Sequence, residues 1–384
     1  MRVLHVSSGN MYGGVETLLT TLAREAHVAP GMEPRFALCF EGRISAELKA
    51  LDCAPHLLGP ASLSRPRTVL RARREMRSLL QREPCDVVVC HQPWTCVLFA
   101  SAIRAAGLPV VLWVHMASRG RHWLERLCRL TSPDAAICNS KFTAGLVRGW
   151  LPHAQVEHCY LPLSRPQASE SGAHRQAIRN AFGTAERDVV LVQVSRLESF
   201  KGHSVLLAAL GRLRGLAGWT CWIVGGVQRP EEADYLRALK QLAVEQGISE
   251  RVRFVGERDD VIQILRAANI YCQPNTKPEG FGLTFVEAMH AGLPVVTSGI
   301  GGASEIVDQS CGMLTPPGDV PALSSALNRL IVDRALNTRL GDEAQRRSES
   351  LCNVPRQMGR IHAVLASLAA TRTAATHDWE TQRD

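Results

Sequence analysis

The chain is built from short, almost wholly apolar runs that recur along its length and are separated by segments with helical spacing. Examples are Val87-Val88-Val89-Cys90, Val110-Val111-Leu112-Trp113-Val114 and Asp188–Val194. Runs of this kind are typical of parallel strands that are buried on both faces of a sheet. The alternation therefore predicts an α/β protein with doubly wound parallel sheets. Because 384 residues exceed one compact core, we expect two such domains.

The same pattern occurs twice, on either side of a break in composition. The expected N-terminal domain spans 1–165 and the C-terminal domain spans 188–352. Prolines and small polar residues mark a linker region at 166–187. A helix is expected at 353–370, followed by a flexible polar tail at 371–384. The predicted strands are Arg2–Ser8, Phe36–Phe40, Asp86–Cys90, Val110–His115, Ala135–Asn139, Asp188–Val194, Trp219–Val224, Val252–Gly256, Asn269–Gln273 and Pro294–Thr297.

Cysteine usage and hydropathy indicate a cytoplasmic protein. The chain has 12 cysteines and no C-x-x-C pair, which favours buried free thiols in a reducing compartment and argues against a metal site. The polar start of the chain does not fit a signal peptide, and no apolar run approaches the length of a membrane span.

Positive charge is concentrated in the first half. Residues 1–165 hold 20 Lys and Arg against 12 Asp and Glu, whereas residues 166–384 hold 24 of each. Two arginine clusters, at 65–77 and 119–129, account for much of the excess. The favoured interpretation is a solvated helix surface; the alternative is attraction to an anionic membrane or an acidic acceptor, with peripheral attachment at the inner face of the membrane. Binding of nucleic acid is not expected, because no aromatic residues are interleaved with the charge.

The stretch from Pro278 to Met289 has the chemistry of a phosphate site between two acids. Glu279 and Glu287 lie eight positions apart, and Gly280 and Gly282 allow a tight turn between them. Apolar residues at helical spacing then indicate a helix, whose N-terminal N–H groups and dipole favour an anion. Two carboxylates beside a phosphate site suit a sugar nucleotide.

Other loops supply candidate ligands at the ends of predicted strands. Arg196 and Lys201 follow a strand, where they are either a clamp for a diphosphate or solvated loop cations. Gly13-Gly14 follows the first strand and serves either a tight turn or ligand contact. His91, His115 and Asn139-Ser140 end three strands of one sheet, and ligands of open α/β sheets bind at that edge.

Taken together, these residues resemble those of the GT-B glycosyltransferases, and more closely the retaining enzymes of glycosyltransferase family 4. Glu279-Gly280-Phe281-Gly282-Leu283 through Glu287 looks like the family's E-x7-E element. Ser195-Arg196-Leu197 with Lys201-Gly202, Gly13-Gly14-Val15-Glu16 and Pro294-Val295-Val296 add to the resemblance, which extends to the helix around Leu365. It implies two Rossmann-like domains facing a central cleft, with the last helix crossing back to the first domain.

The resemblance also implies roles for individual residues. Arg196 and Lys201 match the pair that binds the donor diphosphate in place of a metal ion. Glu279 matches the carboxylate that binds sugar hydroxyls, and Glu287 matches the one that binds ribose. The backbone of Phe281, Gly282 and Leu283, together with Thr284, is implied to contact the donor, and Val255 is implied to lie near the base. His115 is implied to lie beside the sugar, and Gly13 and Gly14 over the diphosphate. The residues implied on the acceptor side are Glu16, His91 and Asn139.

The implied activity is a retaining, metal-independent and cofactor-free sugar transfer. A UDP-sugar is the preferred donor, with GDP-mannose as the alternative. The acceptor is a polysaccharide, a lipid-linked glycan or a natural product. Two other classes stay open: a different enzyme of the same fold, such as a nucleotide-sugar epimerase, and a non-catalytic nucleotide-sugar-binding protein.

Overall fold

The computed structural model describes residues 1–10, 13–164 and 172–381. The chain divides into two compact units, Met1–Ser164 with Cys352–Asp384, and Arg165–Leu351. Each unit contains one parallel sheet with helices between successive strands, which confirms the predicted α/β class.

The first unit has a seven-stranded sheet in the order β3-β2-β1-β4-β5-β6-β7. Every neighbouring pair is parallel. Its strands are β1 Arg2–Ser7, β2 Glu33–Leu38, β3 His56–Leu57, β4 Val87–His91, β5 Val110–Val114, β6 Ala135–Cys138 and β7 Gln155–His158. The connecting helices are α1 Gly14–Arg24, α2 Arg43–Ala50, α3 Pro66–Arg82, α4 Pro93–Ala105, α5 Trp123–Leu130 and α6 Lys141–Arg148.

The second unit has a six-stranded parallel sheet in the order β10-β9-β8-β11-β12-β13. Its strands are β8 Val189–Val194, β9 Trp219–Val224, β10 Val252–Gly256, β11 Ile270–Gln273, β12 Val295–Ser298 and β13 Gly312–Thr315. Its helices are α7 Gly172–Ala181, α8 His203–Gly211, α9 Pro230–Glu245, α10 Val261–Ala267, α11 Leu283–His290, α12 Ala303–Ile306, α13 Val320–Val332 and α14 Arg334–Leu351.

Strand order reverses once in each sheet, and the reversal determines where a ligand can bind. In the first unit the chain moves outward from β1 to β3 and then returns to β4 on the other side of β1. In the second unit it moves from β8 to β10 and returns to β11 beside β8. Ligands of open α/β sheets bind outside the carboxyl ends of the strands at such a switch point. The two candidate positions are therefore the β1/β4 and β8/β11 ends.

The predicted linker at 166–187 is wrong over 172–181, where the chain is helical. Residues 166–171 lie outside the described residues, but α7 follows at once and packs on α10. The buried Arg179 guanidinium ties this helix down by donating to the carbonyl oxygens of Ala267 at 3.0 Å and Ala185 at 3.1 Å. Only the segment before α7 has the proline-rich, polar composition of a linker.

The predicted flexible tail at 371–384 also differs from the structure. The final helix, α15, spans Val354–Thr381, so the helical backbone continues through most of that segment; residues 382–384 lie outside the described residues. Met358, Ile361 and Leu365 are buried on its first turns, and Arg360 Nη2 donates to His158 O in the first unit at 2.9 Å.

The remaining differences concern sheet edges and the surface. The strands β3, β7 and β13 were not predicted; they are short and lie at sheet edges, where burial and apolar character are lower.

The prediction of buried free thiols is confirmed, because all twelve cysteines are free and only Cys53 is not fully buried. Within the described residues, no helix combines the length and the hydropathy needed to span a membrane.

Candidate active site

Three loops of the second unit meet at the β8/β11 switch point. They follow β8, β11 and β12, and backbone contacts connect them: Thr276 N donates to Phe200 O at 2.8 Å. Gly202 caps α8 with a left-handed φ of 78°, and a side chain there would collide with the Pro274 carbonyl. Gln193, buried in β8, donates to Lys201 O at 3.0 Å. The loop that carries Lys201 is therefore held by contacts with β8 and with the loop after β11.

The Glu279 carboxylate is held by three donors. Lys201 Nζ lies 2.5 Å from Oε1, while Gln273 Nε2 and Asn275 Nδ2 donate to Oε2 at 3.1 Å and 2.8 Å. Gln273 and Asn275 are fully buried, and Gln273 also donates to Asn275 Oδ1 at 3.0 Å. Such a charge-assisted network orients both carboxylate oxygens. The structure thus brings two predicted residues, Lys201 and Glu279, into direct contact.

A glycine pair after β12 supports the backbone of Glu279. Gly301 forms a parallel bridge with Glu279, and Gly302 N donates to Glu279 O at 2.9 Å. Gly301 has a φ of 69°, and a side chain at Gly301 or Gly302 would meet the backbone of Glu279 or Gly280. The Glu279 loop can therefore approach this position only because both residues are glycine.

Helix α11 begins directly after this loop. Gly282 caps it with a φ of 91°, so the backbone N–H groups of Leu283 and Thr284 form its first turn at the switch point. Phe281 is buried beneath the turn. The Thr284 hydroxyl lies 2.9 Å from the hydroxyl of Tyr271, a fully buried residue of β11. This contact holds the first turn of α11 against the sheet.

Glu287 lies one turn further along α11 and differs from Glu279 in its surroundings. Its half-buried carboxylate has no hydrogen-bond or ion-pair partner within the described part of the chain. Burial raises the pKa of Glu287 to about 7. A carboxylate kept without a partner in a desolvated position is a candidate for ligand binding.

Two other predicted donor residues are placed differently. Arg196 Nη2 forms an ion pair with Glu198 Oε1 at 3.1 Å, so both predicted cations of this unit have carboxylate partners. Val255 lies on β10, which is the edge strand and is separated from β8 by β9. The structure therefore does not bring Val255 to the Lys201–Glu279 contact.

In the first unit, three histidines form a chain along the switch-point edge. His5 Nδ1 lies 3.0 Å from His91 Nε2, and His91 Nδ1 lies 3.0 Å from His115 Nε2. His91 and His115 both stack on Trp113, with ring centroids 5.4 and 5.8 Å apart. Asn139 Nδ2 donates to His115 O at 3.0 Å. Three residues predicted from strand ends are thus brought together.

Burial keeps this histidine chain neutral at ordinary pH. It lowers the pKa of His5 and that of His115 to about 3. The pKa of His91 falls well below its usual value because of burial first, and then because of the neighbouring His115 and His5. His5 was missed by sequence reasoning, although a polar residue inside an otherwise apolar strand is a signal for it.

The glycine loop of the first unit is described only in part. Met11 and Tyr12 lie outside the described residues. Gly13 precedes α1 with an extended backbone, and Gly14 is the first residue of the helix. Glu16 is buried in the first turn of α1. These positions are compatible with the predicted loop between β1 and α1.

Four functional candidates in the second unit were missed by sequence reasoning: Gln273, Asn275, Gly301 and Gly302. Each lies at or just after the carboxyl end of β11 or β12. The signal that could have found them is the one used for the first sheet, namely polar residues or glycines at strand ends. In the described residues, no group of three or more His, Cys, Asp or Glu side chains is placed to hold a metal ion.

The chain is similar in sequence to known glycosyltransferases. The sequence profile of "Glycosyl transferases group 1" matches residues 174–347, and that of "Glycosyltransferase Family 4" matches residues 12–161. A phosphatidyl-myo-inositol mannosyltransferase of Mycobacterium leprae (strain TN) is 36% identical over 291 residues, covering 73% of this chain and 74% of the relative.

Two further likenesses are informative. A GDP-mannose-dependent alpha-(1-6)-phosphatidylinositol monomannoside mannosyltransferase of Mycobacterium tuberculosis (strain CDC 1551 / Oshkosh) is 29% identical over 316 residues, covering 76% of this chain and 80% of the relative. The crystal structure of Anabaena Alr3699/HepE in complex with UDP-glucose matches with a TM-score of 0.84 at 24% identity, over 96% of this chain and 100% of that one. The structural match confirms the predicted fold.

Proposed function

The chain belongs to glycosyltransferase family 4 and is a glycosyltransferase, and from this premise we propose that it transfers a hexose from a nucleoside-diphosphate sugar to a hydroxyl group with retention of anomeric configuration. The observation that carries the proposal is the Lys201–Glu279 contact at the β8/β11 switch point. It places a cation, suited to phosphate, beside a fixed hydrogen-bond acceptor, suited to sugar hydroxyls.

The diphosphate is proposed to bind between Lys201, Arg196 and the first turn of α11. The cations supply positive charge, and the N–H groups at the helix start supply donors aligned with the helix dipole. Both cations are paired with carboxylates. The diphosphate is therefore proposed to share Arg196 and Lys201 with the carboxylates of Glu198 and Glu279, or to replace those carboxylates as the ion-pair partner.

Glu279 and Glu287 are proposed to bind different parts of the donor. Glu279, oriented by Lys201, Gln273 and Asn275, accepts from sugar hydroxyls. Glu287 accepts from the ribose hydroxyls, because its carboxylate has no partner of its own in the described chain. Phe281, Gly282 and Leu283 contribute backbone N–H groups, and we assign the base to the β10 side, near Val255.

The reaction is proposed to use the leaving diphosphate as the base. The acceptor oxygen forms a bond to the anomeric carbon on the face from which the diphosphate oxygen departs. The bond from that carbon to the diphosphate oxygen breaks, and the diphosphate takes the acceptor's proton. Negative charge that develops on the departing oxygen is stabilised by Lys201 and Arg196 rather than by a metal ion. His115, with Gly13, Gly14, Glu16, His91 and Asn139, is assigned to the sugar and the acceptor.

For the donor we now propose GDP-mannose ahead of UDP-sugars. Two relatives that align over about three quarters of this chain are named as mannosyltransferases, one of them GDP-mannose-dependent. The structural neighbour solved with UDP-glucose is 24% identical and keeps UDP-glucose as the second choice. One relative's name contains phosphatidyl-myo-inositol and the other's contains phosphatidylinositol, so a hydroxyl on a lipid-anchored acceptor is the proposed target.

A thermal-shift screen against GDP-mannose, UDP-glucose, UDP-galactose and ADP-glucose tests the donor proposal. A ligand that binds only the folded state raises the melting temperature. We expect GDP-mannose to give the largest rise, and turnover to require an acceptor. The donor proposal fails if none of the four raises the melting temperature. Conversion of the donor without any acceptor indicates an epimerase instead.

Helix α5 supports a peripheral contact with an anionic membrane. Trp123, Leu127 and Leu130 lie at i, i+4 and i+7, so they share one face, and they are 53%, 40% and 79% exposed. Arg126 and Arg129 are exposed on the same helix. An apolar stripe flanked by arginines is the pattern of a helix that lies in the interface of an anionic bilayer. A lipid-anchored acceptor would be met at that surface.

The arginine cluster on α3 fits a membrane contact less well. Arg73 donates to the carbonyl oxygens of Leu98 at 2.6 Å and Val97 at 3.2 Å, so it has a structural task. Leu70 is 64% exposed and is the only large exposed apolar side chain of α3 among those described. We therefore place the membrane contact on α5.

Co-sedimentation with vesicles of phosphatidylcholine and phosphatidylglycerol tests this surface. Leu127→Ser combined with Leu130→Ser should reduce binding to the anionic vesicles by about tenfold or more, because two exposed leucines are lost from the interface. Val332→Ser, which alters an equally exposed apolar residue of the second unit, is the matched control. If the double variant binds as tightly as the control, α5 is not the contact.

A further inference from the structure

The three histidines of the first unit form a hydrogen-bonded chain whose end group is His115. The two N···N distances, His5 to His91 and His91 to His115, are both 3.0 Å. Each such contact needs one donor and one acceptor, because two lone pairs or two N–H groups facing each other repel. The proton positions of the three rings are therefore coupled.

Only two arrangements satisfy both contacts with neutral rings. In the first, His5 Nδ1–H donates to His91, and His91 Nδ1–H donates to His115 Nε2; all three rings then carry their proton on Nδ1. In the second, all three rings carry their proton on Nε2, so His115 Nε2–H donates to His91 Nδ1, and His91 Nε2–H donates to His5 Nδ1. Burial lowers the pKa of all three histidines, so a charged ring is not the ground state near pH 7.

The buried end of the histidine chain, at His5, distinguishes the two arrangements. His5 Nε2 is buried and has no hydrogen-bond partner in the part of the chain that the structure describes. The second arrangement would place an N–H at this atom, and an unsatisfied buried donor is rarer than an unsatisfied acceptor. The indole N–H of Trp113, whose ring centroid is 6.5 Å from that of His5, is also buried without a partner. A second orphaned donor in the same aromatic cluster would be unfavourable.

We infer that His5 and His91 are positioning residues that hold His115 in the Nδ1–H tautomer, so that His115 presents a fixed hydrogen-bond donor to an oxygen of the substrate. The inference rests on the proposed function only for what the donor acts on; the tautomer itself is a property of the first unit. His115 Nδ1 has no partner among the described residues, and its ring is half-buried, so this atom remains available. Asn139 fixes the backbone at the same residue through His115 O.

The histidine chain also explains a fully buried histidine in β1, where the other buried side chains are apolar or small. The His5 ring is stacked on Phe36 of β2 and is tilted against the rings of His91 in β4 and Trp113 in β5. An apolar residue would satisfy the packing there. What His5 adds is the Nδ1–H donor that sets the direction of the two hydrogen bonds.

Direct observation of the tautomers tests the inference on the wild-type protein without donor. In a long-range ¹H–¹⁵N correlation spectrum of protein labelled in the histidine rings, His115 should show a protonated Nδ1 and an unprotonated Nε2. The His115 signals are assigned by their loss in His115→Gln. A protonated Nε2 on His115, or a doubly protonated ring at pH 7, overturns the inference whatever the activity of the enzyme.

Two substitutions at His5 test the consequence for catalysis. His5→Phe keeps an aromatic ring but removes the donor, so His115 should populate both tautomers and kcat should fall about tenfold with a smaller change in KM. His5→Asn places an amide donor where Nδ1–H was, and it should restore kcat to within about threefold of the wild type. His27→Phe, at an exposed histidine of the same unit, is the control and should change neither.

The outcomes separate the inference from the proposed function. Equal losses in His5→Phe and His5→Asn, with the wild-type tautomer unchanged in both, would show that His5 acts only through packing and would overturn its role. If no sugar nucleotide is turned over but the spectrum shows Nδ1–H on His115, the proposed function fails and the tautomer assignment stands.

Discussion

Replacing Glu287 with Gln should stabilise the enzyme while weakening donor binding. The carboxylate is half-buried, has no partner in the described chain, and has a pKa raised from 4.5 to about 7 by burial. Glutamine has nearly the same shape but no charge. The substitution therefore removes a desolvation penalty that the folded protein bears whenever this group is ionised.

The magnitude follows from the pKa of Glu287 in the two states. The rise from 4.5 to about 7 corresponds to about 3 kcal/mol of folding free energy at about 1.36 kcal/mol per pH unit. Partial exposure screens the charge, so we expect about 2 kcal/mol. Because the folded state binds this proton more tightly than the unfolded state, the stability of the wild type falls as the pH rises through the window between 4.5 and about 7. The advantage of glutamine should be small at pH 4.5 and complete at pH 8.

Thermal and urea unfolding at pH 5, 6, 7 and 8 without donor measure this difference. At pH 8, about 2 kcal/mol should raise the melting temperature by roughly 4–8 °C for a unit of this size. Glu245→Gln, the same change at an exposed position on α9, is the control and should show no pH-dependent gain. KM for the donor should rise about tenfold in Glu287→Gln, because hydrogen bonds to a charged acceptor are stronger than those to a neutral one. A variant that is less stable than the wild type at pH 8, or a difference that does not change with pH, would refute the reasoning.

Four further predictions follow from the same site. Lys201→Met should lower kcat by about 100-fold with the fold intact in circular dichroism, because charge stabilisation at the leaving oxygen is lost; near-normal turnover would remove Lys201 from the site. Asn275→Ala should lower kcat/KM about tenfold by removing one of the two donors to Glu279 Oε2, and Gln273→Ala should do the same by removing the other; an effect confined to stability would make both residues structural only. Gly301→Ala should lose activity and about 1–3 kcal/mol of stability, because its φ of 69° disfavours a side chain and the Glu279 backbone blocks one; wild-type behaviour would show that the loop is not constrained there. Addition of EDTA should leave turnover unchanged, and a strict requirement for Mg²⁺ or Mn²⁺ would contradict the proposed two-cation binding of the diphosphate.

Local sequence was sufficient to predict the class of fold and many residues of the candidate site in the second unit. The apolar strands are continuous runs, and Lys201, Glu279 and Glu287 lie in loops or helix starts that local spacing makes visible. Strand bounds were predicted to within a few residues for the buried strands. This works because burial on both faces imposes the same apolar pattern wherever such a strand occurs.

Residues that depend on tertiary register could not be placed in the same way. Gly301 and Gly302 matter because β12 brings them against Glu279, more than 20 positions earlier in the chain. The three histidines come from β1, the end of β4 and the residue after β5, and only the sheet order places their rings in one row. Helix α7 was missed because its anchor, Arg179, is a charged side chain whose guanidinium donates to the carbonyl oxygens of Ala267, Ala185 and Asp188, and local sequence does not reveal these contacts.

The central claim is that a nucleoside diphosphate binds at Lys201 beside Glu279, and isothermal titration of GDP and UDP into the wild type and Lys201→Met measures it most directly. We predict one site per chain for at least one of the two nucleotides, with GDP binding more tightly, and a loss of affinity of about tenfold or more in Lys201→Met. Equal affinity in the wild type and the variant, or no binding of either nucleotide to the wild type, would contradict it.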